Sequence, residues 1–186
     1  MKALPANHAD LVAATAAGQA FDYVFFWGHK PSADGATSKS CFSQWWEAAF
    51  RVGDEVFPTA EHYMMARKAR LFGDEDSARR ILAAGSPNDA KSLGRKVKGF
   101  SEEVWLQHRE EIVFTGNLAK FSQQPALRRF LIATGESILV EASPVDRIWG
   151  IGMAASDSRA GNPAQWQGLN LLGFALVKVR AHLALA

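Results

Sequence analysis

The sequence predicts an α+β fold, a single helix-rich domain around a small mixed or antiparallel sheet. Runs of aromatic and β-branched residues occur at 21–27, 49–57 and 138–142, which is typical of strands. Capped segments with helical apolar spacing fill most of the remaining chain. A length of 186 residues, 48% of them hydrophobic, suits one sizeable core. We expect residues 1–20 to form an N-terminal arm and residues 21–186 to form the domain.

The strands are predicted from short, bounded runs. The aromatic run that ends at Gly28 predicts a buried strand. Residues 49–57 predict a hairpin, because a glycine-containing turn separates two alternating segments. Residues 138–142 alternate with period two and predict a further strand. Each of the polar stretches 29–40 and 143–152 follows a strand, and both predict loops, which often carry functional residues.

Helix signals occur in six places, most of them at a capping residue or proline and ahead of a glycine. The predicted helices span about 59–70, 74–84, 86–98, 101–122, 125–134 and 174–183. Ser86 and Asp89 mark the start of the third helix with the form of a capping box. Lys91, Arg95 and Lys98 then recur at four and three residues, so the pattern predicts three positive charges on one helix face.

Charge and cysteine content narrow the class of protein. The formal net charge of +2 is too small to indicate wholesale nucleic-acid binding, although a local basic patch can still bind phosphate. The single cysteine, Cys41, cannot form an intrachain disulfide and indicates a reducing compartment. No run of eighteen apolar residues occurs, so we expect a soluble, cytoplasmic protein with no membrane span. The five histidines are never paired at ligand spacing, and we expect no metal and no cofactor.

The helix predicted at 59–70 carries one acid and one amine on the same stripe. Glu61 and Lys68 are seven residues apart, so at 100° per residue their directions differ by roughly 20°, and they lie about 10 Å apart along the axis. This spacing allows one small substrate to lie between them. An ordinary helix has the same pattern, because an early Glu complements the dipole and a later Lys is often solvated; the spacing alone favours that simpler interpretation.

A second carboxylate, Asp146, follows the strand at 138–142. Glu61 and Asp146 are a combination that glycoside-type hydrolysis uses to stabilise a sugar cation and to activate water. Lys68 can act as a nucleophile if a hydrophobic setting lowers its pKa, and the cations Lys91, Arg95 and Lys98 can hold phosphate. Alternatively, Asp146 merely caps the turn after its neighbouring proline.

Eight ordered blocks, spread from about residue 24 to 181, resemble the NADAR family, which includes the YbiA-like N-glycosidases. The blocks are Phe26-Trp27-Gly28-His29, Phe42-Ser43-Gln44-Trp45, Ala60-Glu61-His62-Tyr63-Met64-Met65-Ala66-Arg67-Lys68-Ala69, Lys91-x-x-Gly94-Arg95-x-Val97-x-Gly99-Phe100, Val104-Trp105, Gly116-Asn117-Leu118-Ala119-Lys120-Phe121, Val140-Glu141-Ala142-Ser143-Pro144-x-Asp146-x-x-Trp149-Gly150 and Gly168-x-Asn170-x-x-Gly173. One position departs from the pattern, since Gln44 stands where many members have Asn.

The resemblance implies an enzyme that hydrolyses the N-glycosidic bond between a base and a ribose phosphate. Members act on reactive pyrimidine intermediates of riboflavin biosynthesis, and others remove ADP-ribose from guanine in nucleic acid. Glu61, Trp105 and Asp146 match the family's catalytic set, and Lys68 matches a lysine thought to form a Schiff base with the opened ribose. The expected substrate-binding residues are Trp105, Trp149, Gly150, Arg95, Lys91, Trp46, Phe26, Gly28, His29, Asn117, Lys120 and Asn170.

Two functions from different classes follow. The first is an N-glycosidase whose partner is a nucleotide or ribose-phosphate small molecule, or ADP-ribosylated DNA or RNA. The second is a non-catalytic binder of ADP-ribose or a related nucleotide, which would keep the aromatic and basic residues. A binder would not need Glu61, Lys68 and Asp146 together, so their joint presence favours the enzyme. Trp105 is equally compatible with a core position in the long helix, and the oligomeric state stays open.

Overall fold

The computed structural model describes residues 4–33 and 36–185, and it confirms the predicted α+β fold. In the described residues, seven α-helices and four short strands form. The helices are α1 (His8–Ala16), α2 (Ala60–Leu71), α3 (Glu75–Leu82), α4 (Pro87–Gly94), α5 (Glu102–Gln123), α6 (Pro125–Ile132) and α7 (Leu171–Leu185), and the strands are β1 (Tyr23–Phe26), β2 (Phe50–Val52), β3 (Glu55–Phe57) and β4 (Ile138–Glu141).

The strands form two separate pairs. β1 and β4 pair in parallel, with Tyr23 opposite Ile138 and Phe26 opposite Glu141. β2 and β3 form the predicted antiparallel hairpin. The described residues group into two compact units: the first contains 4–33, 36–43 and 126–185, and the second contains 44–125. The division into an arm at 1–20 and a domain from 21 stays a prediction.

The first unit is built around the parallel pair. Its core contains side chains from β4, from the loops after it and from α1, whose Leu11 is fully buried. Helix α7 packs against β4, and Gly173 makes the close approach possible. A Cβ at Gly173 would overlap the carbonyl oxygen of Leu139 and the side-chain amide of Asn170.

The replacement of Gly173 by Ala is expected to lower the free energy of unfolding by about 3 kcal/mol, because α7 must move away from β4 and disturb the hydrogen bonds of Asn170. Urea unfolding followed by circular dichroism measures this change. Gly161→Ala is the matched control, since nothing lies within 4 Å of a Cβ at that position. Equal unfolding midpoints for the two variants would contradict the close-packing role.

In the second unit, α2 packs against α3, α4 and α5. Eight of its twelve residues are buried, which explains why its sequence shows no simple amphipathic stripe. Tyr63 packs edge-on against Phe57 of the hairpin, and a Cβ at Gly116 of α5 would lie 2.5 Å from the Tyr63 ring. The helix that carries Glu61 is therefore held on several sides.

One prediction about the helices is wrong. Helix α4 ends at Gly94 rather than continuing to Lys98. Arg95 is its C-cap, and the backbone N–H of Lys98 donates to Asp74 Oδ2 at 2.9 Å. The three cations Lys91, Arg95 and Lys98 therefore do not share a helix face, because a contact with α3's N-cap redirects the chain.

Other boundaries differ by a few residues. Helix α7 begins at Leu171, three residues before the predicted start at Phe174. Two short 3₁₀ turns, Lys39–Phe42 and Pro163–Gln165, lie outside the predicted helices. Over the ranges that the structure describes, no helix is both long and apolar enough to cross a membrane.

Candidate active site

Two hydrogen-bonded groups fix the first turn of α2. Thr59 is the N-cap and accepts from the backbone N–H of His62. The His62 ring contacts Thr59 Oγ1 at 2.8 Å and the carbonyl oxygen of Ala84 at 3.1 Å. Because a carbonyl can only accept, His62 Nε2 carries the proton and the Thr59 hydroxyl donates to Nδ1. Burial lowers the pKa of His62, which favours the neutral ring that this geometry uses.

Glu61 lies in this fixed turn and is only 2% exposed. Its backbone N–H, one of the helix-start donors that lack an intrahelical partner, donates to the carbonyl oxygen of Gln44 at 2.9 Å. The Gln44 side chain is in turn bound by Asn117 of α5, with 2.8 Å between Nδ2 and Oε1. The carboxylate is therefore a buried group on a rigid element, unlike an ordinary solvated first-turn Glu.

Lys68 lies two turns further along α2, in a half-buried aromatic setting. Its Nζ donates to the carbonyl oxygen of Gly94 at 3.0 Å. The same nitrogen lies 4.3 Å from the ring centroid of Phe100 and 5.6 Å from that of Trp105. Burial lowers the pKa of the Lys68 amine below its ordinary value. The interpretation of Lys68 as a merely solvated surface lysine does not describe this environment.

Other predicted residues of the second unit differ in accessibility. Lys91 is half-buried, and its Nζ lies 5.7 Å from the ring centroid of Trp45, the neighbour of half-buried Trp46. Arg95 is exposed at the end of α4. Lys120 is fully buried in α5, with its Nζ 5.0 Å from the ring centroid of Phe121. These placements leave their assignment to substrate binding a prediction.

In the first unit, Asp146 lies in the loop after β4 and is half-buried. Its Oδ1 accepts from the backbone N–H groups of Ile148 and Trp149, each at 2.8 Å. This is the turn-capping geometry that the sequence allowed, and it also orients the carboxylate. Since Oδ1 takes both bonds, Oδ2 is left without a hydrogen-bond donor among the described residues. The orientation is compatible with capping and with catalysis.

The Asp146 loop is held by a ladder of backbone hydrogen bonds to the segment that starts α7. Five backbone N–H groups donate to carbonyl oxygens at 3.0 to 3.2 Å: Gln167 to Ile151, Leu169 to Arg147, Asn170 to Gly150, Leu171 to Ile148 and Leu172 to Trp149. Five backbone hydrogen bonds therefore hold the loop that carries Asp146.

Several predicted substrate-binding residues of the first unit have packing roles of their own. A Cβ at Gly150 would lie 2.7 Å from the carbonyl oxygen of Glu141. Asn170 is fully buried in the left-handed region, with φ of 53°, and its side chain bridges Glu141 N and Leu139 O. Phe26 is buried against Phe42, with ring centroids 5.5 Å apart.

The other three predicted substrate-binding residues of the first unit, Gly28, His29 and Trp149, lie nearer the surface. Gly28 is exposed, with φ of +79°, and His29 and Trp149 are half-buried. Within the ranges 4–33 and 36–185, no group of three His, Cys, Asp or Glu side chains is placed to hold a metal ion.

Two residues that matter in the second unit were not assigned to the site from the sequence. Phe100 forms the nearer face of the Lys68 environment, and the only signal was its place after Gly99 in one family block. Gln44 was noted as a departure from the family pattern, but its contacts with Glu61 and Asn117 depend on folding.

A buried carboxylate and an amine of lowered pKa on one rigid helix are features of an enzyme site in an α+β domain. The NADAR domain model matches residues 25–184, and the chain belongs to the NADAR family.

Relatives of this chain include named N-glycosidases. It is 42% identical to an N-glycosidase of Acanthamoeba polyphaga mimivirus over 163 residues, covering 85% of this chain and 94% of that protein. The chloroplastic riboflavin biosynthesis protein PYRR of Zea mays is 35% identical over 136 residues, which cover 69% of this chain and 20% of that protein. The solution NMR structure of Escherichia coli YbiA superposes with a TM-score of 0.71 at 28% identity, covering 90% of this chain and 88% of the other.

Proposed function

We propose that this chain is an N-glycosidase that hydrolyses the bond between a base and a ribose phosphate. At the level of enzyme class, the chain is a hydrolase of N-glycosyl compounds, in line with relatives that are named N-glycosidases. The observation that best supports the proposal is on α2, where buried Glu61 precedes Lys68, an amine of lowered pKa held against Phe100.

In the proposed reaction, the bond between C1′ and the base nitrogen breaks and the base leaves with the bonding electron pair. Glu61 and Asp146 divide two tasks: one carboxyl group gives the departing base its proton, and the other stabilises the positive charge on the ribosyl group. Neutral Lys68 Nζ bonds to C1′; the C1′–O4′ bond then breaks as Nζ passes a proton to O4′, which leaves a protonated Schiff base between Nζ and C1′ of the opened ribose. Water then replaces Nζ at C1′, which regenerates the lysine and releases the ribose phosphate.

Each role is supported by the surroundings of the residue. A neutral amine needs the lowered pKa that burial gives Lys68. The Gly94 carbonyl and the aromatic rings fix its position, and near-attack geometry depends on such fixing. Trp105, 5.6 Å from Nζ, offers a flat face for stacking on base or sugar. Asp146 is oriented by two backbone donors.

The finer proposal concerns substrates. Ribosylated aminopyrimidine phosphates of riboflavin biosynthesis are one class, supported by the name of the maize relative. ADP-ribosylated guanine in nucleic acid is the other, and its cleavage would reverse ADP-ribosylation. The exposed cation Arg95 and half-buried Lys91 are proposed to contact the phosphates of either class.

Side-by-side incubation tests the function. The protein is mixed with a ribosylaminopyrimidine phosphate and with guanine-ADP-ribosylated DNA, and free base is measured by chromatography. Release from either substrate supports the N-glycosidase and identifies its class. Nucleotide binding without release from either substrate would instead support a non-catalytic ADP-ribose or nucleotide binder.

A further inference from the structure

Gln44 and Asn117 form a buried pair of side-chain amides beside the first turn of α2. Gln44 is 6% exposed and Asn117 is 0% exposed. Asn117 Nδ2 donates to Gln44 Oε1 at 2.8 Å and to the carbonyl oxygen of Val113 at 2.9 Å. The backbone oxygen of Gln44 accepts from Glu61 N–H. The amide pair is thus tied to the turn that carries Glu61.

The backbone of α5 fixes which way both amides face. The Val113 carbonyl can only accept, so Asn117 must turn its nitrogen toward it. The second proton on that nitrogen goes to Gln44, which must therefore turn its oxygen inward. As a result, the nitrogen of the Gln44 amide is directed away from Asn117.

Gln44 Nε2 has no hydrogen-bond acceptor in the part of the chain that the structure describes. A donor on a largely buried side chain costs about 1–3 kcal/mol when it is deprived of an acceptor, so most such groups are paired. The small exposed fraction of Gln44 allows an acceptor to come from outside the chain.

We propose that Gln44 contacts the substrate and determines specificity, with Nε2 donating to an acceptor oxygen on the ribose phosphate or on the base. Asn117 is a positioning residue, which holds the amide so that a donor faces the substrate. This inference rests on the proposed N-glycosidase function. An amide nitrogen only donates, so it discriminates against a substrate with an amino group at that place.

Gln44→Glu tests the donor directly, because it keeps an oxygen for Asn117 and puts an acceptor where Nε2 stood. The KM for the cleaved substrate is expected to rise by about 10- to 100-fold, with a smaller change in kcat. Gln44→Met removes the donor without adding a charge and should raise KM similarly. Gln107→Glu makes the same charge change on an exposed position of α5 and should leave KM within about 2-fold of wild type.

The positioning role of Asn117 is tested by a double-mutant cycle. Asn117→Ala should raise KM in the wild-type background but have little further effect on KM in the Gln44→Glu background. Additive effects on KM would mean that Asn117 acts independently of Gln44, and an unchanged KM in folded Asn117→Ala would mean that it supports only the packing of α5; either result overturns its positioning role. Circular dichroism and the urea midpoint of each variant show whether it is folded.

Titration with D-ribose 5-phosphate locates the acceptor. A Kd that weakens with KM in Gln44→Glu places the acceptor on the ribose phosphate, and an unchanged Kd with a raised KM places it on the base. An unchanged KM in folded Gln44→Glu and Gln44→Met would show that Gln44 does not contact the substrate. The proposed N-glycosidase function would still stand if wild type releases base. If wild type releases no base, the proposed function fails by itself. The role of Gln44 is then judged from the Kd for ribose 5-phosphate. Equal Kd values for wild type and Gln44→Glu, or no binding by wild type, overturn that role.

Discussion

Glu61→Gln is expected to slow base release by about 10²- to 10⁴-fold, the usual contribution of general acid–base catalysis. The substitution removes a titratable group and keeps nearly the same shape. The backbone hydrogen bond from residue 61 to the Gln44 carbonyl is independent of the side chain, so the first turn of α2 should persist. Single-turnover base release at saturating protein concentration measures the chemical step.

The control for Glu61 is another glutamate in the first turn of a helix. Glu102 begins α5 and is exposed, so Glu102→Gln changes charge and helix dipole in the same way. It should release base at the wild-type rate. A folded Glu61→Gln protein that did the same would remove Glu61 from the catalytic assignment.

Lys68→Met is expected to reduce base release by at least about 10²-fold, because the methionine retains an apolar stem against Phe100 and lacks the nucleophilic nitrogen. Borohydride should trap a covalent sugar adduct on wild type and none on the variant, as judged by intact mass. Lys96→Met, at an exposed position after α4, should retain both the rate and the adduct. A Lys68→Met protein as active as wild type would exclude the covalent route.

The same lysine predicts a pH dependence. Only the neutral amine attacks, and burial lowers the pKa of Lys68 below its ordinary value, so the neutral fraction rises at lower pH than for an exposed lysine. The rate at saturating substrate should therefore rise with pH as the Lys68 amine loses its proton, and fall where the carboxyl group that protonates the base loses its own. A pH–rate profile with no rising limb would contradict attack by the neutral amine.

The sequence predicts the helix starts well because a helix start is fixed by hydrogen bonds between residues close together in the chain. Thr59 caps α2 and Ser101 caps α5 through hydrogen bonds three residues away, so both starts are visible in the sequence. The α2 helix also places Glu61 and Lys68 on one element, as their spacing predicted. The end of α4 is not predictable in this way, because it depends on a hydrogen bond from the backbone N–H of Lys98 to Asp74, 24 residues earlier in the chain.

The environments of the site residues depend on distant contacts and lay beyond sequence reasoning. The half-buried setting of Lys68 comes from Gly94, Phe100 and Trp105, which follow it by at least 26 residues. Asn117 is expected to bind substrate, and its complete burial and its bond to Gln44 are features that its place in the sequence does not reveal. Residue type suggested polar chemistry in both cases, and only folding shows which polar atoms are accessible.

The backbone ladder of the Asp146 loop has a consequence for how this chain can vary in length. The carbonyl oxygens of Arg147 to Ile151 accept from backbone N–H groups between residues 167 and 172, so an added residue inside either segment would break several of these bonds and disturb the turn that Asp146 caps. In the stretch between the two segments, Ala155 and Ser156 are exposed, whereas Met153, Ala160 and Trp166 are buried in the core. Insertions and deletions should be tolerated at the exposed pair and excluded from 147–151 and 167–172, so the orientation of the carboxylate can persist while the surface turn diverges.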